Sequence, residues 1–198
     1  MKDVLIATTG MSPAVLTETV WALAHPAGRA AELYGPVLPD EVKVVTTVSG
    51  KRRLMERLLQ SGVWKELRAA LGAESGKLRF HEDCIRVVHD ANGEALDGLN
   101  GPEDHAAFAD AVMHELWAYS ARPDVRITAS LAGGYKTLSP LKLAPLQPLP
   151  RSRGPLPHPP VLGGPVAPRP GLFFPHTPAD AGDTPFVDTP PVSPPAMC

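Results

Sequence analysis

Proline is distributed very unevenly along this chain. Of its 24 prolines, six precede Ser139 and 18 follow it. Proline lacks a backbone N–H and clashes with the preceding turn inside a helix, so the second part does not read as packed helices and central strands. We therefore expect one folded domain over residues 1–139 and a proline-rich, irregular tail over residues 140–198.

Before Ser139, continuous apolar runs rich in β-branched residues alternate with helical patterns. Such runs are typical of buried parallel strands, and their alternation with helices predicts an α/β fold, a Rossmann-like parallel sheet with helices on both faces. The predicted strands are residues 3–9, 42–49 and 124–131, with further candidates at 77–80 and 84–90. The predicted helices are residues 12–24, 50–72 with a break near Ser61–Gly62, and 102–121, while residues 24–41 read as a turn-rich connection.

Composition narrows the class of function. The formal net charge is −2, which does not suit a duplex nucleic-acid binder but allows a small anionic ligand. The two cysteines and seven histidines show no metal-ligand spacing, so we predict no metal and no cofactor. The short apolar run before Thr8 is too short for a signal peptide or a membrane span, and we expect a cytoplasmic protein without membrane contact.

Hydroxyl- and glycine-rich segments follow three of the predicted strands. "TTGMSP" follows the first, "TTVSGKRR" ends the second, and "SLAGGYKT" ends the last. The carboxyl ends of parallel strands share one edge of the sheet, and ligands bind there. The segments therefore predict one ligand-binding crevice.

Each segment also has an interpretation without a ligand. Ser12 can cap the helix that begins with Pro13. Lys51, Arg52 and Arg53, which open a predicted helix, are either a solvated charge run or cations offset by a bound anion. The double glycine before Lys136 fits an ordinary turn, and its spacing fails the phosphate-loop pattern.

Taken together and in order, "IATTGMSPAVLTETVWAL", "VVTTVSG" and "SLAGGYKT" resemble the CRISPR-associated Rossmann-fold (CARF) proteins of type III CRISPR systems. More narrowly, they are similar to the single-domain ring nucleases, which resemble the CARF half of the associated sensor ribonucleases. The resemblance covers residues 1–139, and "RPGLFFPHTP" is similar to the family's C-terminal end.

The resemblance implies a homodimer that binds a cyclic oligoadenylate, usually cyclic tetra-adenylate, across its two-fold axis. A metal-independent ring nuclease cleaves this messenger to linear products with 2′,3′-cyclic phosphate ends and so switches off antiviral defence. The catalytic positions map onto Ser12 and Lys136. The ligand-binding positions map onto Thr8, Thr9, Gly10, Met11, Thr47, Ser49, Gly50, Ser130, Ala132, Gly133, Gly134 and Thr137.

Two other functions stay open at this point. One is a CARF sensor or binding module that holds cyclic oligoadenylate without cutting it. The other is an unrelated nucleotide-binding α/β protein. The sequence also departs from the family after Lys136, where prolines replace an expected apolar helix and strand. We hypothesise a compensated frameshift over roughly residues 140–168, which the other two reading frames of the coding DNA would test; the alternative is a genuine disordered tail.

Overall fold

The computed structural model describes residues 1–73 and 76–130. Within them, four strands form: β1 (Lys2–Thr8), β2 (Glu41–Thr46), β3 (Ile85–Val87) and β4 (Val125–Ala129). The α-helices are α1 (Ala14–Ala24), α2 (Arg29–Tyr34), α3 (Val48–Leu54), α4 (Val63–Ala70) and α5 (Pro102–Ser120). A π-helical segment, Met55–Gln60, joins α3 to the turn before α4, and a 3-10 turn, Glu82–Cys84, precedes β3. None of the described helices is long and apolar enough to cross a lipid bilayer.

The strands form one parallel sheet in the order β3-β2-β1-β4. Strand β1 therefore lies between β2 and β4, pairing Thr8 with Val45 on one side and Ile6 with Ala129 on the other. The chain first builds outwards from β1 to β3 and then crosses over to β4. The predicted α/β fold with a Rossmann-like parallel sheet is confirmed.

Apolar side chains cover both faces of the sheet. On one face, Leu5 and Val44 pack with residues of α1, α3, the π-helical segment and α4, including Leu16, Leu54, Leu58 and Leu67. On the other face, Val4, Ile6 and Val45 pack with Phe108, Val112 and Leu116 of α5. The central strand β1 is buried on both sides from Val4 to Thr8, which explains why it reads as a continuous apolar run.

The start of α1 differs from the sequence prediction. The helix begins at Ala14, and Pro13 occupies the N-cap position without a side-chain hydrogen bond. Ser12 is therefore not the cap; its side chain is exposed just before the helix. This releases the Ser12 hydroxyl from the structural role that the sequence offered for it.

The connection before β2 contains an element that the turn-rich composition hid. Helix α2 forms between Gly28 and Gly35, whose φ values of 54° and 65° lie in the left-handed region. The intervening residues include three good helix formers, Ala30, Ala31 and Glu32. The glycines permit the sharp changes of direction at both ends.

The region between β2 and β3 agrees in outline with the sequence and differs in detail. Strand β2 ends at Thr46, and α3 begins at Val48, so Lys51, Arg52 and Arg53 follow the first helical residues instead of opening the helix. The break at Ser61–Gly62 is confirmed, with Gly62 at φ 83°. The predicted strand over 77–80 is wrong: Arg79 makes only an isolated bridge to Glu41.

Candidate functional site

The carboxyl ends of β1, β2 and β4 lie side by side at one edge of the sheet. The strand order reverses between β1 and β4, which makes their ends a topological switch point. In open α/β sheets this is the place where a crevice for ligands forms. Two of the predicted segments, at Thr8–Ser12 and Ser130, flank this point directly.

The loop after β1 is buried at its start and exposed at its tip. Thr8 and Thr9 are each 2% exposed, whereas the Met11 side chain is 56% exposed and Ser12 is exposed. The hydroxyl of Thr9 is buried and has no hydrogen-bond partner among the described residues. The loop thus offers one spare buried hydroxyl and, at the tip, the side chains of Met11 and Ser12.

Strand β2 holds this loop in place. The Thr9 N–H donates to the Val45 carbonyl at 3.4 Å, and the Thr46 hydroxyl donates to the Thr9 carbonyl at 2.7 Å. A Cβ at Gly50 would overlap the Thr46 hydroxyl oxygen and would lie 3.3 Å from the Gly10 carbonyl oxygen. Gly50, predicted to bind ligand, therefore has a packing reason to be glycine.

The hydroxyls of Thr47 and Ser49 already have protein partners. Thr47 is 5% exposed and caps α3 by accepting the Gly50 N–H at 3.3 Å. Ser49 donates to Asp97 at 2.7 Å and accepts from Arg52 at 3.4 Å. Any ligand contact through these hydroxyls would have to compete with, or extend, those bonds.

The cations near the start of α3 are also engaged. The Lys51 ammonium lies 2.7 Å from the Glu82 carboxylate, while the Arg52 guanidinium reaches Ser49. For these two cations the chain itself supplies electronegative partners. The pair with Glu82 is largely exposed, so it holds Lys51 only weakly.

The loop over residues 88–100 contributes contacts that sequence reasoning missed. The Leu96 carbonyl accepts the Val48 N–H at 2.8 Å, and Asp97 accepts from Ser49. The sequence analysis placed no site residue in this stretch. Its position after β3, a strand whose end lies at the same edge as Thr46, was the one available signal.

The remaining predicted site residues fall at or beyond the end of β4. Ser130 is buried, and its N–H donates to the Ile6 carbonyl at 2.9 Å. This bond continues the pairing of β4 with β1 up to the switch point. The residues Ala132, Gly133, Gly134, Lys136 and Thr137 lie outside the described residues. No group of three His, Cys, Asp or Glu side chains within residues 1–73 and 76–130 is arranged to hold a metal ion.

Comparison with models of protein families identifies the family of this chain. The model of the family "CRISPR-associated protein NE0113" matches residues 12–151, which is more than half of the chain. The chain belongs to this family. No curated protein and no solved structure matches the chain.

The NE0113 match includes most of the candidate site. It starts at Ser12, at the exposed tip of the β1 loop, and includes the β2 end, Ser130 and Lys136. It also extends past residue 139 into the predicted tail. Membership establishes that the protein is CRISPR-associated.

Proposed function

We propose that this protein is a ring nuclease of a type III CRISPR system, which binds a cyclic oligoadenylate and cleaves it. The observation that carries the proposal is the exposed Ser12, on a loop at the switch point of a parallel sheet, in a chain of a CRISPR-associated family. The expected ligand is cyclic tetra-adenylate, bound across the two-fold axis of a homodimer. A ligand of even symmetry is matched to such an interface.

The reaction needs positioning more than a protein nucleophile. A ribose 2′-hydroxyl attacks the neighbouring phosphorus, the bond to the 5′-oxygen breaks, and a 2′,3′-cyclic phosphate and a free 5′-hydroxyl result. Holding the attacking oxygen in line supplies much of the acceleration. The exposed Ser12 hydroxyl would orient the ribose or phosphate.

Negative charge develops on phosphate oxygens during this attack, and donors aimed at it lower the barrier. We assign this role to Lys136 and to backbone N–H groups near Gly10, Gly133 and Gly134. The low net charge of the protein is compatible with this ligand, since a small anion needs only local donors.

The test is incubation of the purified protein with labelled cyclic tetra-adenylate in EDTA, followed by separation of the products. We expect linear products with 2′,3′-cyclic phosphate ends. Tight binding without turnover would replace the enzyme by a sensor. Activity that EDTA abolishes would contradict the metal-independent mechanism. If the protein neither binds nor cleaves cyclic tetra-adenylate, the proposal is overturned.

Substitutions at the two catalytic positions sharpen the test. We expect Lys136→Ala to lower turnover by about 10²–10³-fold, the usual cost of removing one oxyanion donor. Ser12→Ala should also lower turnover, without loss of melting temperature, because the Ser12 side chain is exposed. Lys65→Ala and Ser61→Ala, at exposed positions in and just before α4, are the matched controls and should retain activity. Full turnover in Lys136→Ala would remove its catalytic role.

A further inference from the structure

Thr46 makes an unusual connection at the end of β2. Its side chain is fully buried, and its hydroxyl donates to the Thr9 carbonyl at 2.7 Å. The adjacent backbone hydrogen bond, from the Thr9 N–H to the Val45 carbonyl, is 3.4 Å long and so beyond the usual range. Of these two hydrogen bonds from β2 to Thr9, the one from the Thr46 hydroxyl is the shorter. Thr9 lies one residue past the end of β1.

Gly50 makes room for this hydroxyl. A Cβ at Gly50 would overlap the Thr46 oxygen, so any larger residue displaces it. The Gly50 N–H is meanwhile held by the N-cap Thr47. Helix α3, the end of β2 and the loop after β1 are thus packed together around a single hydroxyl.

We propose that Thr46 is a positioning residue for the reaction assigned above. It lies out of contact with solvent and would not touch the ligand. It fixes the carbonyl of Thr9, and through it the direction in which Gly10, Met11 and Ser12 leave the sheet. This inference rests on the proposed ring-nuclease function. It adds Thr46, which begins the segment "TTVSGKRR" but was not among the predicted site residues.

The first test is the pair Thr46→Val and Thr46→Ser, measured as kcat and KM on cyclic tetra-adenylate. Valine keeps the shape of threonine but removes the hydroxyl that donates to the Thr9 carbonyl. Serine keeps that hydroxyl. We expect kcat to fall about 10- to 100-fold in Thr46→Val, as for a small misplacement of catalytic groups, with a smaller change in KM. Thr46→Ser should stay within about threefold of the wild type.

A stability control separates positioning from general loosening. Val112→Ala, in the α5 layer on the opposite face, should lower the melting temperature without changing kcat. If Val112→Ala lowers kcat as much as Thr46→Val at an equal loss of melting temperature, the positioning role is overturned. The positioning role is also overturned if the wild type is active and Thr46→Val keeps its full turnover.

A second variant should disturb the hydrogen bond from the Thr46 hydroxyl to the Thr9 carbonyl without altering Thr46. Gly50→Ala should displace the Thr46 hydroxyl and lower kcat. In a Thr46→Ala background the overlapping oxygen is gone, and the 3.3 Å approaches to the Gly10 carbonyl oxygen and to the Cβ of residue 46 remain. Adding Gly50→Ala there should therefore lower kcat and melting temperature less than it does in the wild type. Full additivity of the two substitutions would contradict the inference. A wild-type protein that neither binds nor cleaves the ligand would overturn the proposed function and this inference with it, whereas an active wild type with an unaffected Thr46→Val overturns the inference alone.

Discussion

Three cations surround the carboxylate of Glu41 at the amino-terminal edge of the sheet, opposite the candidate site. Lys2 contacts it directly, and Lys43 and Arg79 each lie 3.2 Å from a carboxylate oxygen. The Glu41 side chain is only 12% exposed. Burial by itself would raise the pKa of Glu41, but the hydrogen bonds and the positive charges of Lys2 and Lys43 together outweigh it and lower the pKa below the ordinary value.

We predict that Glu41→Gln destabilises the protein at pH 7 by about 1–3 kcal/mol, because two partly buried lysines lose their counter-charge. A lowered folded-state pKa means that ionised Glu41 stabilises the fold above its unfolded-state pKa, and that this contribution disappears as the pH falls through the folded-state value. Urea denaturation at pH 7 and pH 3 should therefore show a difference between variant and wild type that shrinks in acid. Glu56→Gln, at an exposed position, is the control; an equal deficit at both pH values would contradict the prediction.

At the scale of elements, two residues set the start and the internal break of the helical segment from α3 to α4. Thr47 caps its start, and Gly62 interrupts it in the left-handed region at φ 83°. Nothing lies within 4 Å of a Cβ built at Gly62, so the position is restricted by backbone conformation alone. The break visible in the sequence is thus a requirement for glycine and not a consequence of packing.

We predict that Gly62→Ala costs about 1–2 kcal/mol of unfolding free energy, the penalty of a left-handed residue with a Cβ. Gly101→Ala is a matched control, because its surroundings are equally open but its φ of −150° suits any residue. That substitution should be near neutral, because the gain of about 0.4–1 kcal/mol through the unfolded chain is offset by the lower preference for alanine at Gly101, the N-cap of α5. Equal effects of the two alanines in urea denaturation would contradict this account.

At the scale of the whole molecule, the sheet depends on an apolar layer on each face. Helix α5 supplies most of the layer on one face, with Phe108 1% exposed at its centre. Trp117, nine residues further along the same helix, is 66% exposed. Phe108 and Trp117 therefore differ in what they contribute to the fold.

We expect Phe108→Ala to lower the free energy of unfolding by about 3–5 kcal/mol, since it leaves a cavity beneath β1 and β2. Trp117→Ala should change it by less than about 0.5 kcal/mol. Thermal melts followed by circular dichroism would measure both. A large loss from Trp117→Ala would mean that its exposed ring is covered in the assembled protein.

The predicted boundary between residues 139 and 140 lies outside the described residues and stays a prediction. Limited trypsin digestion with mass spectrometry would test it. The tail contains Lys142, Arg151 and Arg153 as cleavage sites, and we expect the first cuts there. First cuts within residues 1–130 would contradict the boundary.

Local patterns located most of the elements of this protein. The buried strands are continuous apolar runs, and Gly62 marks the helix break, because the burial of a strand and the backbone conformation of a glycine are written in neighbouring residues. The fold class followed from their alternation. Helix α2 was not predicted because its short helical stretch lies between turn residues, Gly28 and Gly35.

Only the tertiary structure decided how the site is built. Thr46 and Thr9 are 37 positions apart, and Ser49 and Asp97 are 48 apart, so no periodicity relates them. The sheet order β3-β2-β1-β4 brings them to one edge and makes the ends of β1 and β4 the topological switch point. The sequence named Thr9, Ser12 and Gly50 as candidates; the packing separated an exposed hydroxyl at Ser12 from a glycine that makes room for Thr46, because only the folded chain shows which polar groups already have partners.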